Sequence, residues 1–185
     1  MTPIVKIILT VLMVVCVLLS GFFSASEIVY SGVSKIKLKK KVEEGSKKAK
    51  AASKISDNFT DALSTILVGN NLVNILTSVV STRLAIEIWN EEIGPTMAVI
   101  LSTIIVLIFG EIVPKAVGNR YNYNLSMMFA GLFNFFRIIF FPITFVVTKF
   151  VSLLAKMWTP KEKEPTATDE ELIVLAEEME EEGVI

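Results

Sequence analysis

Residues 106–118 read Val106-Leu107-Ile108-Phe109-Gly110-Glu111-Ile112-Val113-Pro114-Lys115-Ala116-Val117-Gly118. They fall in a run, residues 97–117, that is otherwise apolar enough and long enough to cross a bilayer. A carboxylate at membrane depth costs several kcal/mol unless a partner neutralises it, so Glu111 reads first as functional. Pro114 has no N–H to give the carbonyl four residues back, which is that of Gly110. The stretch therefore predicts a helix break with an open carbonyl beside a carboxylate, two oxygens of the kind a hard cation takes. The bland alternative is a proline kink satisfied by water or a hydroxyl, with a protonated Glu111 bonded to a neighbouring helix.

Composition agrees with a membrane chain. The 185 residues suit one domain, and 52% of them are hydrophobic, gathered in long runs. A soluble enzyme is excluded. The net charge of −1 conceals segregation: nine of the eighteen basic residues lie within residues 35–54, and ten of the nineteen acids within 162–182. The single cysteine, Cys16, rules out an internal disulfide, and the absence of histidine removes the commonest transition-metal ligand and proton shuttle.

Upstream, residues 4–33 are apolar but for Lys6, Glu27 and a few serines. Lys6 and residues 7–19 have the outline of a secretory signal, yet residues 21–33 continue the pattern past any cleavage site. The stretch reads as a first spanning helix with Ser20, Ser24, Ser26 and Glu27 in its second half, where small residues also permit close helix packing. Residues 35–57 are lysine-rich and broken by Gly45, the pattern of a short helical pair. The positive-inside rule puts this loop in the cytoplasm and the N-terminus outside. A basic loop between spans is a topology determinant beside anionic lipid far more often than a nucleic-acid site, so no nucleic-acid partner is expected.

A second span starts near Asp57 or Asp61 and runs to about Trp89. It carries Asn70, Asn71 and Asn74, then Thr77, Ser78, Ser81 and Thr82, with Asn70 and Asn74 on one face. Amides in a membrane helix need partners, which here are either another helix or an ion. Depth is a test. At about 1.5 Å per residue, Ser24 and Asn70 each lie roughly 14 Å from the inner ends of their helices and Glu111 roughly 10 Å, a similar level for all three.

Residues 125–158 form a fourth apolar stretch, interrupted by Asn134, Arg137, Pro142 and Lys149. These interruptions suit a re-entrant hairpin or an interfacial belt on the cytoplasmic face better than a clean span. If the stretch did span, the acidic tail would lie outside. In that tail Thr168 and Glu171 resemble a capping box ahead of a short amphipathic acidic helix, which breaks off at Ile185 in the manner of a truncated chain. The expected fold is thus an all-α integral membrane protein: a transmembrane domain over residues 1–158, with three transmembrane helices and a re-entrant or juxtamembrane belt, followed by a cytosolic acidic linker helix over 159–185.

Three ordered motifs, Phe23-Ser24-Ala25-Ser26-Glu27, Val68-Gly69-Asn70-Asn71-Leu72-Val73-Asn74 and Gly110-Glu111-Ile112-Val113-Pro114-Lys115, resemble the DUF21 transmembrane domain of the CorB/CorC and cyclin M (CNNM) magnesium transporters. The resemblance covers nearly the whole chain. It implies a homodimer in the plasma membrane, with three spans and a juxtamembrane belt. It also implies Mg²⁺ export coupled to Na⁺ entry, and a tail leading to a CBS-domain pair that binds ATP and a CorC-type C-terminal domain, both missing from this chain. By motif position it assigns Ser24, Asn70, Gly110 and Glu111 as ion ligands, with Ser26, Glu27 and Asn74 as weaker assignments. Glu27 suits either a second, Na⁺, site or a neutral structural acid. The rival readings are a membrane-anchored Mg²⁺ sensor that regulates another transporter, and an intramembrane enzyme. The chain has no Ser-His, paired-aspartate or His-Glu-x-x-His pattern to support the latter.

Overall fold

The computed structural model describes residues 1–158, and among them every regular element is helical. Two compact units divide the chain, Met1–Phe150 and Val151–Ile185. Of the second, the described residues 151–158 are helical; the acidic tail with its expected capping box lies outside the described residues.

Helix α1 (Pro3–Gly32) begins with proline in its first turn, where a missing N–H costs nothing. The lysine-rich loop is a helical pair, α2 (Lys35–Glu43) and α3 (Lys47–Asp57). Their first turns are capped by the Ser34 and Ser46 hydroxyls, which accept from the backbone N–H groups of Lys37 and Ala49 at 3.3 Å. The pair turns Leu38, Ala49, Ala52 and Ile55 into the core and its lysines outward. After α4 (Phe59–Ile88), the side-chain oxygen of Asn90 accepts from the N–H groups of Glu92 and Ile93 and turns the chain into α5 (Gly94–Ile105). This helix continues through a π-helical segment (Val106–Ile112) into α6 (Val113–Arg120), and α7 (Asn122–Trp158) follows directly.

Helix α1 is the centre of the first unit. At its start, Lys6 pairs with Glu87 near the end of α4 at 2.9 Å, so the two helices run antiparallel. Phe23 lies against Gly69: a β-carbon on Gly69 would overlap the Phe23 ring, which is fully buried. The other side of Phe23 meets Phe136 and Phe140 of α7, and Tyr30 donates to the Ser126 carbonyl at 3.0 Å. The surface is the inverse of a soluble protein's. Serines 20, 24 and 26 of α1 are buried, whereas Ile4, Ile7, Ile8, Val11, Val14 and Leu18 are exposed, as hydrocarbon solvent requires.

Four helical stretches are long and apolar enough to cross a bilayer: Pro3–Gly32, Phe59–Ile88, Gly94–Arg120 and Asn122–Val151. The last corrects the hairpin form expected for residues 125–158. That stretch is one continuous helix, and Pro142 lies within it without breaking it. A single proline removes one hydrogen bond, which a helix of this length in apolar surroundings survives.

Gly69→Ala should force the buried Phe23 ring out of place and lower stability by about 1–3 kcal/mol, read as an earlier thermal unfolding midpoint in detergent.

Candidate functional site

Two side-chain oxygens of α4 converge on Ser20 of α1, and a third backbone comes close to it. Its hydroxyl lies 3.0 Å from Asn70 Oδ1 and 2.9 Å from Asn74 Oδ1, both on α4. From the third side comes Gly110, where an added β-carbon would sit 2.9 Å from Ser20 Oγ. Along their helices, Ser20, Asn70 and Gly110 stand roughly 18, 17 and 15 Å from Gly32, Phe59 and Arg120 at about 1.5 Å per residue. The level is shared. A hydroxyl has one proton and can satisfy one amide oxygen at a time, so the second oxygen keeps a lone pair aimed at the same point.

One turn along α1 from Ser20 stands Ser24, on the same face. Its hydroxyl is buried and is the one buried side-chain oxygen or nitrogen among the described residues without a hydrogen-bond partner. In a helix this is unusual, since serine can bond its own backbone four residues back. Ser26 does so, donating to the Phe22 carbonyl at 2.7 Å, and Thr77 and Thr82 do likewise to Val73 and Ser78.

The π-helical segment alters the expected helix break. The Val113 N–H reaches five residues back to the Ile108 carbonyl. It is therefore not given to Phe109, and Pro114, next in line, has no N–H to give. The wide turn thus leaves the Phe109 carbonyl without its main-chain donor, next to the Gly110 carbonyl, whose donor four residues on would be Pro114. Gly21 of α1 lets the two helices approach here: its β-carbon would lie 3.1 Å from both the Phe109 oxygen and the Pro114 ring. A β-carbon there would push the contact apart by a few tenths of an ångström.

Glu111 is half-buried in the π-helical segment, and its carboxylate has no hydrogen bond or ion pair among the described residues. Glu27, by contrast, is paired: its carboxylate lies 3.1 Å from the Lys115 ammonium on α6. Among the described residues no group of three or more Asp, Glu, Cys or His side chains converges. The oxygens gathered around Ser20 are neutral, donors that suit a hard cation and not a soft one. Ser24, Asn70, Asn74, Gly110 and Glu111 are candidate ligands by sequence, whereas Ser20 stands out there only as a polar residue of the first span and Phe109 not at all. The signal for Ser20 was its place one turn before Ser24 on the same face.

Apolar helices on the outside with buried, converging oxygens within define a polytopic α-helical membrane protein with an intramembrane polar site. The chain belongs to the cyclin M family: the family model described as the cyclin M transmembrane N-terminal domain matches residues 11–185. Among curated proteins it is similar to a DUF21 domain-containing protein of Arabidopsis thaliana, with 35% identity over 57 residues, 31% of this chain and 11% of that protein. It is also similar to a UPF0053 protein of Synechocystis, with 30% identity over 83 residues, 45% of this chain and 23% of that protein. The matched stretches therefore span less than a quarter of either relative's length.

Ser20→Ala removes the donor that Asn70 and Asn74 share. It should lower the thermal stability of the ion-free protein by about 0.5–2 kcal/mol, whereas Ser26→Ala, which severs only a bond within α1, should change it by less.

Proposed function

We propose that this chain is the transmembrane part of a Mg²⁺ transporter that works by alternating access, with one ion held at the meeting point of α1, α4 and the π-helical segment. The Glu111 carboxylate supplies charge. The Ser24 hydroxyl, the Asn70 amide oxygen and the Gly110 carbonyl supply neutral oxygens, with the Asn74 amide oxygen and the Phe109 carbonyl as further donors. Mg²⁺ demands octahedral oxygen and gives up its waters reluctantly, so a cage of several protein oxygens is the means of drawing it in.

The observation that carries this reading is the buried Ser24 hydroxyl without a partner. An unsatisfied buried hydroxyl costs about 1–3 kcal/mol, and at membrane depth such a cost points to a ligand. Family membership supports the same reading. Coupling to Na⁺ entry, a homodimeric plasma-membrane assembly with the N-terminus outside, and a tail leading to ATP-binding CBS domains complete the proposal. So does a three-span topology with α7 as the belt.

The purified full-length protein in liposomes is expected to move Mg²⁺, and Glu111→Ala to abolish that flux. Unchanged flux in Glu111→Ala would remove the carboxylate from the mechanism. A wild-type protein that binds Mg²⁺ but moves none would favour the sensor. Ser24→Ala should change sign with the ion: equal or higher thermal stability without Mg²⁺, and a smaller Mg²⁺-dependent gain than wild type. A loss of stability in ion-free buffer would refute the assignment of Ser24.

A further inference from the structure

Glu111 and Lys115 are four residues apart on one helical rod, the spacing at which oppositely charged side chains normally pair. Four steps close about one turn whether they are wound as α- or π-helix, so the two side chains leave neighbouring parts of the surface. Yet the Lys115 ammonium is held by Glu27 of α1 at 3.1 Å, and the Glu111 carboxylate has no ionic partner among the described residues. The pair joins α1 and α6 beside the contact of Gly21 with Pro114, with both side chains only partly exposed, 39% for Lys115 and 34% for Glu27.

We propose that Glu27 is a positioning residue for the ion site: by holding the Lys115 ammonium it keeps that tethered cation off Glu111, leaving the carboxylate free for a divalent ion. The inference rests on the reading of Glu111 as an ion ligand. Lys115 is the nearest cation along the helix and cannot diffuse away, so its effective concentration at Glu111 would exceed that of any dissolved ion once Glu27 let go. Glu27 then needs no ion of its own. Its counter-ion is the lysine, and its place three residues after Ser24 puts that lysine one turn from the site without filling it.

Mg²⁺ titration of the full-length protein in lipid nanodiscs, followed by Mg²⁺-dependent thermal stabilisation, tests this. Glu27→Gln frees Lys115 and is expected to weaken Mg²⁺ binding by about three- to tenfold, the range of a single competing ion pair. Glu27→Asp should retain most of the affinity. The double variant Glu27→Gln with Lys115→Gln removes both competitor and tether, and should return to within about twofold of wild type. A purely structural ion pair predicts the opposite, with the double variant at least as weak as the single one. Wild-type binding in Glu27→Gln, or no recovery in the double variant, overturns the proposal. Should Glu27→Gln fail to fold, Lys115→Gln alone decides: binding at wild-type strength or tighter supports competition, and weaker binding overturns it. Glu111→Gln reports separately on the site, since unchanged Mg²⁺ binding there would defeat the ligand reading whatever Glu27 does.

Discussion

Every polar group that α1 carries into the bilayer has to find its partner in its own backbone or on a neighbouring helix, because hydrocarbon offers none. That constraint shapes the first unit. Partners within hydrogen-bond reach demand close backbones, and close backbones demand small residues. Gly21 opens α1 to the Phe109 carbonyl and the Pro114 ring, Gly69 opens α4 to Phe23, and Gly110 opens the π-helical segment to Ser20. With those three contacts made, Ser20 can reach both amides of α4. Among the described residues Ser24 alone stands outside this settlement, buried by the same approach and left without a partner.

The aromatic residues of α7 seal the arrangement from another side. Phe23 is covered by Phe136 and Phe140, and Tyr30 by Phe133, with the Tyr30 hydroxyl satisfied by the Ser126 carbonyl. These rings supply large apolar area together with preferred edge and offset geometries, which fix the helices laterally where lipid exerts no hydrophobic pressure. Arg137 and Pro142 looked like interruptions of this helix. A continuous helix absorbs both, because one missing donor is a small loss among some thirty residues of intact ladder.

The apolar runs of α1, α4 and the α5-to-α6 rod were legible from length and composition, because a bilayer imposes a length that few other environments do. The helical pair of the lysine-rich loop was legible from its lysines and the break at Gly45, though not its serine caps. Residues 70, 74 and 111 were legible as expensive polar positions, and residue 110 as the carbonyl that faces Pro114. Three features were not. A π-helical turn differs from an α-helical one by a single hydrogen-bond step that packing decides, so the Phe109 carbonyl could not be told from that of Gly110 by counting back from Pro114. Ser20 and Ser24 occupy one face and differ only in what α4 and the π-helical segment place opposite them. The partner of Lys115 was hidden because its natural neighbour in sequence, Glu111, is not the one it takes.

On the proposed reading, the same contacts make ion binding and conformation inseparable. The two amide oxygens of α4 are drawn together by the Ser20 hydroxyl, so an ion taking Asn70 must either displace that bond or draw Ser20 and α1 along with it. Either way the geometry between α1 and α4 with the ion differs from that without it, and a ligand shifts an equilibrium only by such a difference in affinity between states. Charge works in the same direction. One carboxylate against a divalent cation leaves a net positive charge in a medium of low dielectric constant, and the Glu27–Lys115 pair, neutral as a whole, does not cancel it. A site built this way draws Mg²⁺ by coordination and holds it loosely by charge. Ready release is what distinguishes a site on a transport path from a structural metal centre with several carboxylates.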